Sequence, residues 1–132
     1  MIVVLDCNIW VSLAINSQID FIADLSDNGI TIATCSTLRD EITDVLRRPK
    51  LRKFISEPDA QKVIALHDLV TTSYLPRIIP NILADPKDNY LFALALKSKA
   101  DFLVTGDKLI LEVAEYKRTR IIKLIDFKEI VQ

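Results

Sequence analysis

The chain has 132 residues, with 17 basic and 18 acidic side chains and a formal net charge of −1, which fits one domain with a real core and is too short for two. That balance excludes a global basic field of the kind that announces a nucleic-acid binder, so any polyanion must be gripped locally. Half of the residues are hydrophobic and mean hydropathy is +0.25, which suits a parallel sheet covered on both faces.

Cys7 and Cys35 make no disulfide framework. The opening MIVVLD is too short for a signal segment and no run reaches a membrane span, so cytoplasm is the expected compartment. A single histidine, His67, excludes a two-His metal site within one chain and paired-His acid–base chemistry.

In chain order, Ile2–Leu5 is an apolar, β-branched run that predicts a fully buried strand ended by Asp6. A short helix follows over Asn8–Ile15 and another over Ser17–Asn28, where Ser17 and Asp20 have capping-box spacing and Asn28–Gly29 gives the stop. Ile30–Thr34 is the second strand. Ser36 is then expected to cap a helix to about Arg48, with Leu38, Ile42, Val45 and Leu46 inward and Glu41 the acid nearest that face. Pro49 ends it inside a basic cluster, Arg47, Arg48, Lys50, Arg52 and Lys53. Such a run reads either as a solvated helix end or as phosphate contacts for RNA.

Ser56 with Asp59 caps a helix to about Val70, on which His67 reads as a helix-face residue without a catalytic part. Tyr74–Leu83 is an irregular or extended connection. In ADPKDNYLFALALKSKADFLVTGD, Asp85 is an N-cap and Pro86 the first helical residue. The helix is expected over Lys87–Lys99, with Leu91, Phe92, Ala95 and Leu96 on one stripe and Asp88 at its head. Phe102–Thr105 is a strand closed by Gly106 and Asp107. Asp107 caps a helix to about Tyr116, and Arg120–Ile125 is the last strand before a short C-terminal helix. Trp10 and Phe21 read as core or interface packing, Cys7 and Cys35 as small buried hydrophobes.

Apolar strands separated by helices predict a single domain over residues 1–132, a three-layer α/β/α fold around a mainly parallel sheet of about four or five strands. In such sheets the working crevice lies outside the carboxyl ends of the strands. Asp6, Glu41, Asp88 and Asp107 converge there on this reading, with Asp85 close by. Packed like charges repel, and a hard divalent cation, Mg²⁺ or Mn²⁺, resolves the repulsion with oxygen ligands. One such ion strengthens water as a nucleophile and two clamp both sides of an in-line displacement, so the matching reaction is phosphodiester hydrolysis. Asn8 and Thr105 are placed to hydrogen-bond the ligand carboxylates.

These residues resemble the PIN-domain nucleases, and within them the VapC-like toxins of toxin–antitoxin modules. VVLDCNIWVSL is similar to the family's first strand with its Asp and following Asn, SxLxxEIxxVLRRPKL to its Glu-bearing helix, and DPKDNYLFALALKSKADFLVTGDK to its most specific stretch. The resemblance covers essentially the whole chain. It implies a metal-dependent endoribonuclease with Asp6, Glu41, Asp88 and Asp107 at the acidic positions, a homodimer, and a small antitoxin that blocks the cleft. Many members carry a further acid just after the TGD segment, where Lys108 and Leu109 stand here, which counts against a second metal position. Two other functions stay open: a PIN-like module that binds RNA or protein without cutting, and a phosphohydrolase with Asp6 as nucleophile. The second lacks the usual acid two residues on, where Asn8 stands.

Overall fold

Val3, Val4 and Leu5 are wholly buried, as an apolar run without polar alternation requires. In the computed structural model, which describes residues 1–132, they belong to strand β1 (Ile2–Leu5) inside a six-stranded sheet. The other strands are β2 (Thr31–Thr34), β3 (Thr71–Ser73), β4 (Phe102–Val104), β5 (Glu115–Tyr116) and β6 (Thr119–Ile122), in the order β3-β2-β1-β4-β6-β5. Every neighbouring pair is parallel except β5 with β6.

Seven helices connect them: α1 (Cys7–Ile15), α2 (Asp20–Asp27), α3 (Ser36–Leu46), α4 (Glu57–Val70), α5 (Tyr90–Ser98), α6 (Lys108–Val113) and α7 (Leu124–Val131). The chain steps outward from β1 through β2 to β3, then returns past β1 to β4 and β6. Right-handed crossovers therefore put α1–α4 on one face and α5 and α6 on the other, giving the expected three layers. The direction reverses between β1 and β4, and a crevice opens at the carboxyl ends of strands that flank such a switch. No helix is long and apolar enough to cross a membrane.

The sheet has two strands that the apolar pattern does not announce. β3 is Thr-Thr-Ser and β5 is Glu-Tyr; both are short edges without a hydrophobic run. β5 takes residues expected in the helix after Asp107, which stops at Val113 and turns through Ala114 at φ 68°. The last strand ends at Ile122 rather than Ile125, and α7 begins at Leu124.

Several caps also differ. Ser17 sits in the left-handed region at φ 56°, so α2 starts at Asp20 without a capping box. Ser36 is the first residue of α3, and Cys35, still extended from β2, holds the cap position. Ser56 does accept the Asp59 N–H, at 3.2 Å, and Gly29, at φ 80°, closes α2 as the sequence predicts.

The helix expected over Lys87–Lys99 is a 3-10 turn, Pro86–Asp88, followed by α5. Tyr90 to Ala95 are buried without a break, whereas Leu96 is 46 % exposed. A helix buried over six consecutive residues is covered on more than one side, so the single-stripe reading fails here.

His67 lies on the inner face of α4. It is buried, edge-on to Trp10 at 5.1 Å, with Nε2 2.8 Å from Thr34 Oγ1 and Nδ1 2.9 Å from Asp68 Oδ1. Arg39 grips both Asp68 oxygens at 2.8 Å. Burial holds the His67 pKa below its ordinary value despite the Asp68 hydrogen bond. Both cysteines are free and buried.

Candidate active site

The carboxyl end of β1 delivers Asp6, which the strand's burial carries inside until it is 5 % exposed. The hydroxyl of Thr105, just past β4, donates to Asp6 Oδ2 at 2.7 Å. The same oxygen of Thr105 accepts the Asp107 N–H at 3.1 Å. One threonine thus bridges the switch point, binding the Asp6 carboxylate, as the sequence suggests, and the Asp107 backbone N–H. Burial pushes the Asp6 pKa from 3.8 up to about 6, opposed by Thr105 and reinforced by the negative charges of Asp88 and Glu41.

Asp88 ends the 3-10 turn before α5 and is half-buried. Its pKa is also raised, by burial first, then by Glu41, with Asp107 adding to it and Lys87 opposing. Glu41 projects from the middle of α3, where the Tyr90 hydroxyl donates to its Oε2. The Tyr90 hydroxyl is itself held far above the usual phenol range by burial and by Glu41. The charges of Asp88 and Glu41 are thus felt at Asp6, and those of Glu41 and Asp107 at Asp88.

Each is held differently. Asp107 Oδ1 caps α6 by accepting from Leu109 and Ile110 at 2.8 and 3.3 Å, so the cap reading and the site reading both apply to it. As the side chains stand, no three carboxylates form a ready-made coordination cage. Each of three acids has its own hydrogen-bond partner instead: Thr105 for Asp6, Tyr90 for Glu41 and the Leu109 amide for Asp107. The donor set still fits a hard cation, because every group is a carboxylate oxygen and at least one is buried among its own kind.

Asp85 accepts the Lys87 N–H at 3.2 Å and is exposed; it is a cap whose charge adds slightly to the field at Asp88. Asn8 is exposed on the first turn of α1 and is not the group that holds Asp6. Of the basic cluster, Arg47, Arg48, Lys50 and Lys53 are exposed, and the charge of Arg48 reaches Cys7 beside the acids. Arg52 differs, because its guanidinium donates to the carbonyls of Leu46 and Ile55. It closes the end of α3, and assigning it to RNA overlooks those unpaired carbonyls.

Sequence reasoning misses two residues, Tyr90 and Asn89. Both are buried, and Asn89 Oδ1 accepts the Leu83 N–H at 2.9 Å, tying the preceding segment to α5. The signal was a phenol in an otherwise apolar helical run, since a buried Tyr hydroxyl needs a partner. Tyr90→Phe is expected to release Glu41 and lower stability by about 1–2 kcal/mol. Denaturant melts check this; unchanged stability would show that the Tyr90–Glu41 bond adds nothing to the fold.

No curated protein sequence matches the chain. A chain in the crystal structure of VapBC2 from Rickettsia felis bound to a DNA fragment from their promoter is similar, with a TM-score of 0.60 and 16 % identity, over 93 % of this chain and 98 % of that one. That likeness is one of fold. A family model described as PIN domain matches residues 2–109, a span holding all four acids, and the chain belongs to the PIN-domain family.

Proposed function

We propose that this chain is a divalent-metal-dependent endoribonuclease, a single catalytic domain, and the toxin of a toxin–antitoxin pair. The observation that carries the chemistry is the buried Asp6 carboxylate, raised to about 6 in the company of Asp88 and Glu41. The likeness to a VapBC2 chain supports the toxin assignment and with it an antitoxin partner; the homodimer is proposed from the family resemblance alone.

Asp6, Asp88, Asp107 and Glu41 would hold Mg²⁺ or Mn²⁺, which when bound acidifies water and polarises a phosphoryl oxygen. Thr105 keeps Asp6 turned into the crevice. Tyr90 occupies Glu41 Oε2, leaving Oε1 to orient the attacking water and take its proton. The water oxygen bonds to phosphorus, the bond to the 3′ oxygen breaks, that oxygen takes a proton from solvent, and the products carry a 5′-phosphate and a 3′-hydroxyl. Exposed Arg47, Arg48, Lys50 and Lys53 supply phosphate contacts beside the acids.

Since no step uses the 2′-hydroxyl, an RNA with a single 2′-deoxy position at the cleavage site is expected to be cut, with Mn²⁺ required and chelator abolishing it. Asp88→Asn should lose Mn²⁺ binding in a calorimetric titration. Intact binding of that RNA without any cutting would overturn the water-attack scheme. The absence of a preformed cage and the presence of Lys108 and Leu109 after Asp107 favour a second reading, a non-cleaving RNA- or protein-binding module. Indifference of the wild-type protein to Mn²⁺ would select it.

A further inference from the structure

Between β3 and α5 the chain runs through an irregular segment, residues 74–85, before the 3-10 turn. Tyr74 and Leu83 pack against the core at the segment's two ends, but the apolar side chains between them are not put away. Ile78 is 84 %, Leu75 67 % and Ile79 60 % exposed. Pro76, Arg77 and Ile78 face Ala93, Leu96, Lys97 and Lys99 across a groove of about 410 Å³. The groove lies along the carboxyl-terminal half of α5, at the far end of that helix from Asp88. Its walls carry three cations and no carboxylate.

We infer that this groove docks an amphipathic segment of a partner protein, apolar on one side and rich in Asp and Glu on the other. Exposed branched side chains in a groove gain from apolar burial, and the rim selects sign. The same charges argue against a second copy of this chain. A two-fold contact centred on the groove would set Arg77, Lys97 and Lys99 against their own counterparts. The docked segment packs by side chains rather than by strand addition, because the groove is lined by a helix and an irregular segment. Nothing in the inference depends on metal or cleavage.

Two labelled helical peptides test it, both with a leucine face, one with glutamates opposite and one with lysines. Fluorescence anisotropy is expected to show saturable binding of the glutamate peptide, roughly tenfold tighter than its lysine twin. The double variant Ile78→Ser/Leu96→Ser should weaken it by a similar factor, and Lys97→Glu should narrow the difference between peptides. Both variants should keep the wild-type circular dichroism spectrum and metal-dependent RNA cleavage. Asp6→Asn should bind the glutamate peptide normally, so failure of the nuclease reading leaves this result standing. Equal binding of the two peptides, or none by either, would overturn the inference. So would sedimentation showing that the double variant turns a dimer into a monomer, which would give the face to a second copy.

Discussion

Replacing Asp6 by Asn is expected to abolish most activity and, at the same time, to make the metal-free protein more stable. The carboxyl is 5 % exposed, and its rise from 3.8 to about 6 corresponds to roughly 3 kcal/mol at 1.36 kcal/mol per pKa unit. Because the folded value lies above the unfolded one, the native state binds the extra proton. This group's stabilisation is therefore complete below about pH 4 and is lost as pH rises through 6. Asn mimics the protonated form and still accepts from Thr105. The variant should thus exceed wild type by about 3 kcal/mol at pH 7 in chelator, with the difference vanishing near pH 4. Turnover should fall about a hundredfold or more, since a metal site supplies several kcal/mol to the transition state. Paired urea melts across pH check the first part; a variant less stable than wild type at pH 7 would mean that Asp6 ionises willingly, removing the reason for a cation.

Phe127→Ala is expected to have the largest effect on the fold without touching the site. Phe127 is the one buried residue of α7, wedged edge-on between Phe21 at 6.3 Å and Phe102 at 5.9 Å. Truncating a buried Phe costs about 3–5 kcal/mol, a large part of the roughly 5–15 kcal/mol that holds a small domain together. The melting temperature should drop roughly 10–20 °C, and α7 should exchange its amides first. Phe102 opens β4, whereas the acids lie past the other end of that strand. Mn²⁺ affinity of the folded fraction should therefore match wild type, and a loss of affinity in step with stability would show that α7 supports the crevice.

Asp6, Asp88 and Asp107 were legible because each stands at a local boundary, a strand end or a helix start, that sequence marks on its own. Glu41 was legible from helical angle alone. What fixes these acids was less so. Thr105 could be guessed from its place beside Asp107, but the Tyr90–Glu41 bond joins residues 49 apart in the chain, and no local pattern records it. The caps divide in the same way: Ser56 and Asp107 follow irregular residues free to turn, while Ser36 inherits extended backbone from β2 that leaves the cap to Cys35. Leu96 was misplaced because a stripe rule assumes one buried side, and α5 has more than one.

The sheet ends on one side in the three residues of β3 and on the other in the two of β5. Stray chains therefore find little backbone on which to add a strand. The apolar β1 lies between its parallel partners β2 and β4, with further strands beyond each. It is open to mispairing only until those parallel partners, distant in sequence, have closed around it. Inclusion-body formation should accordingly track how slowly the chain folds rather than how firmly it holds once folded.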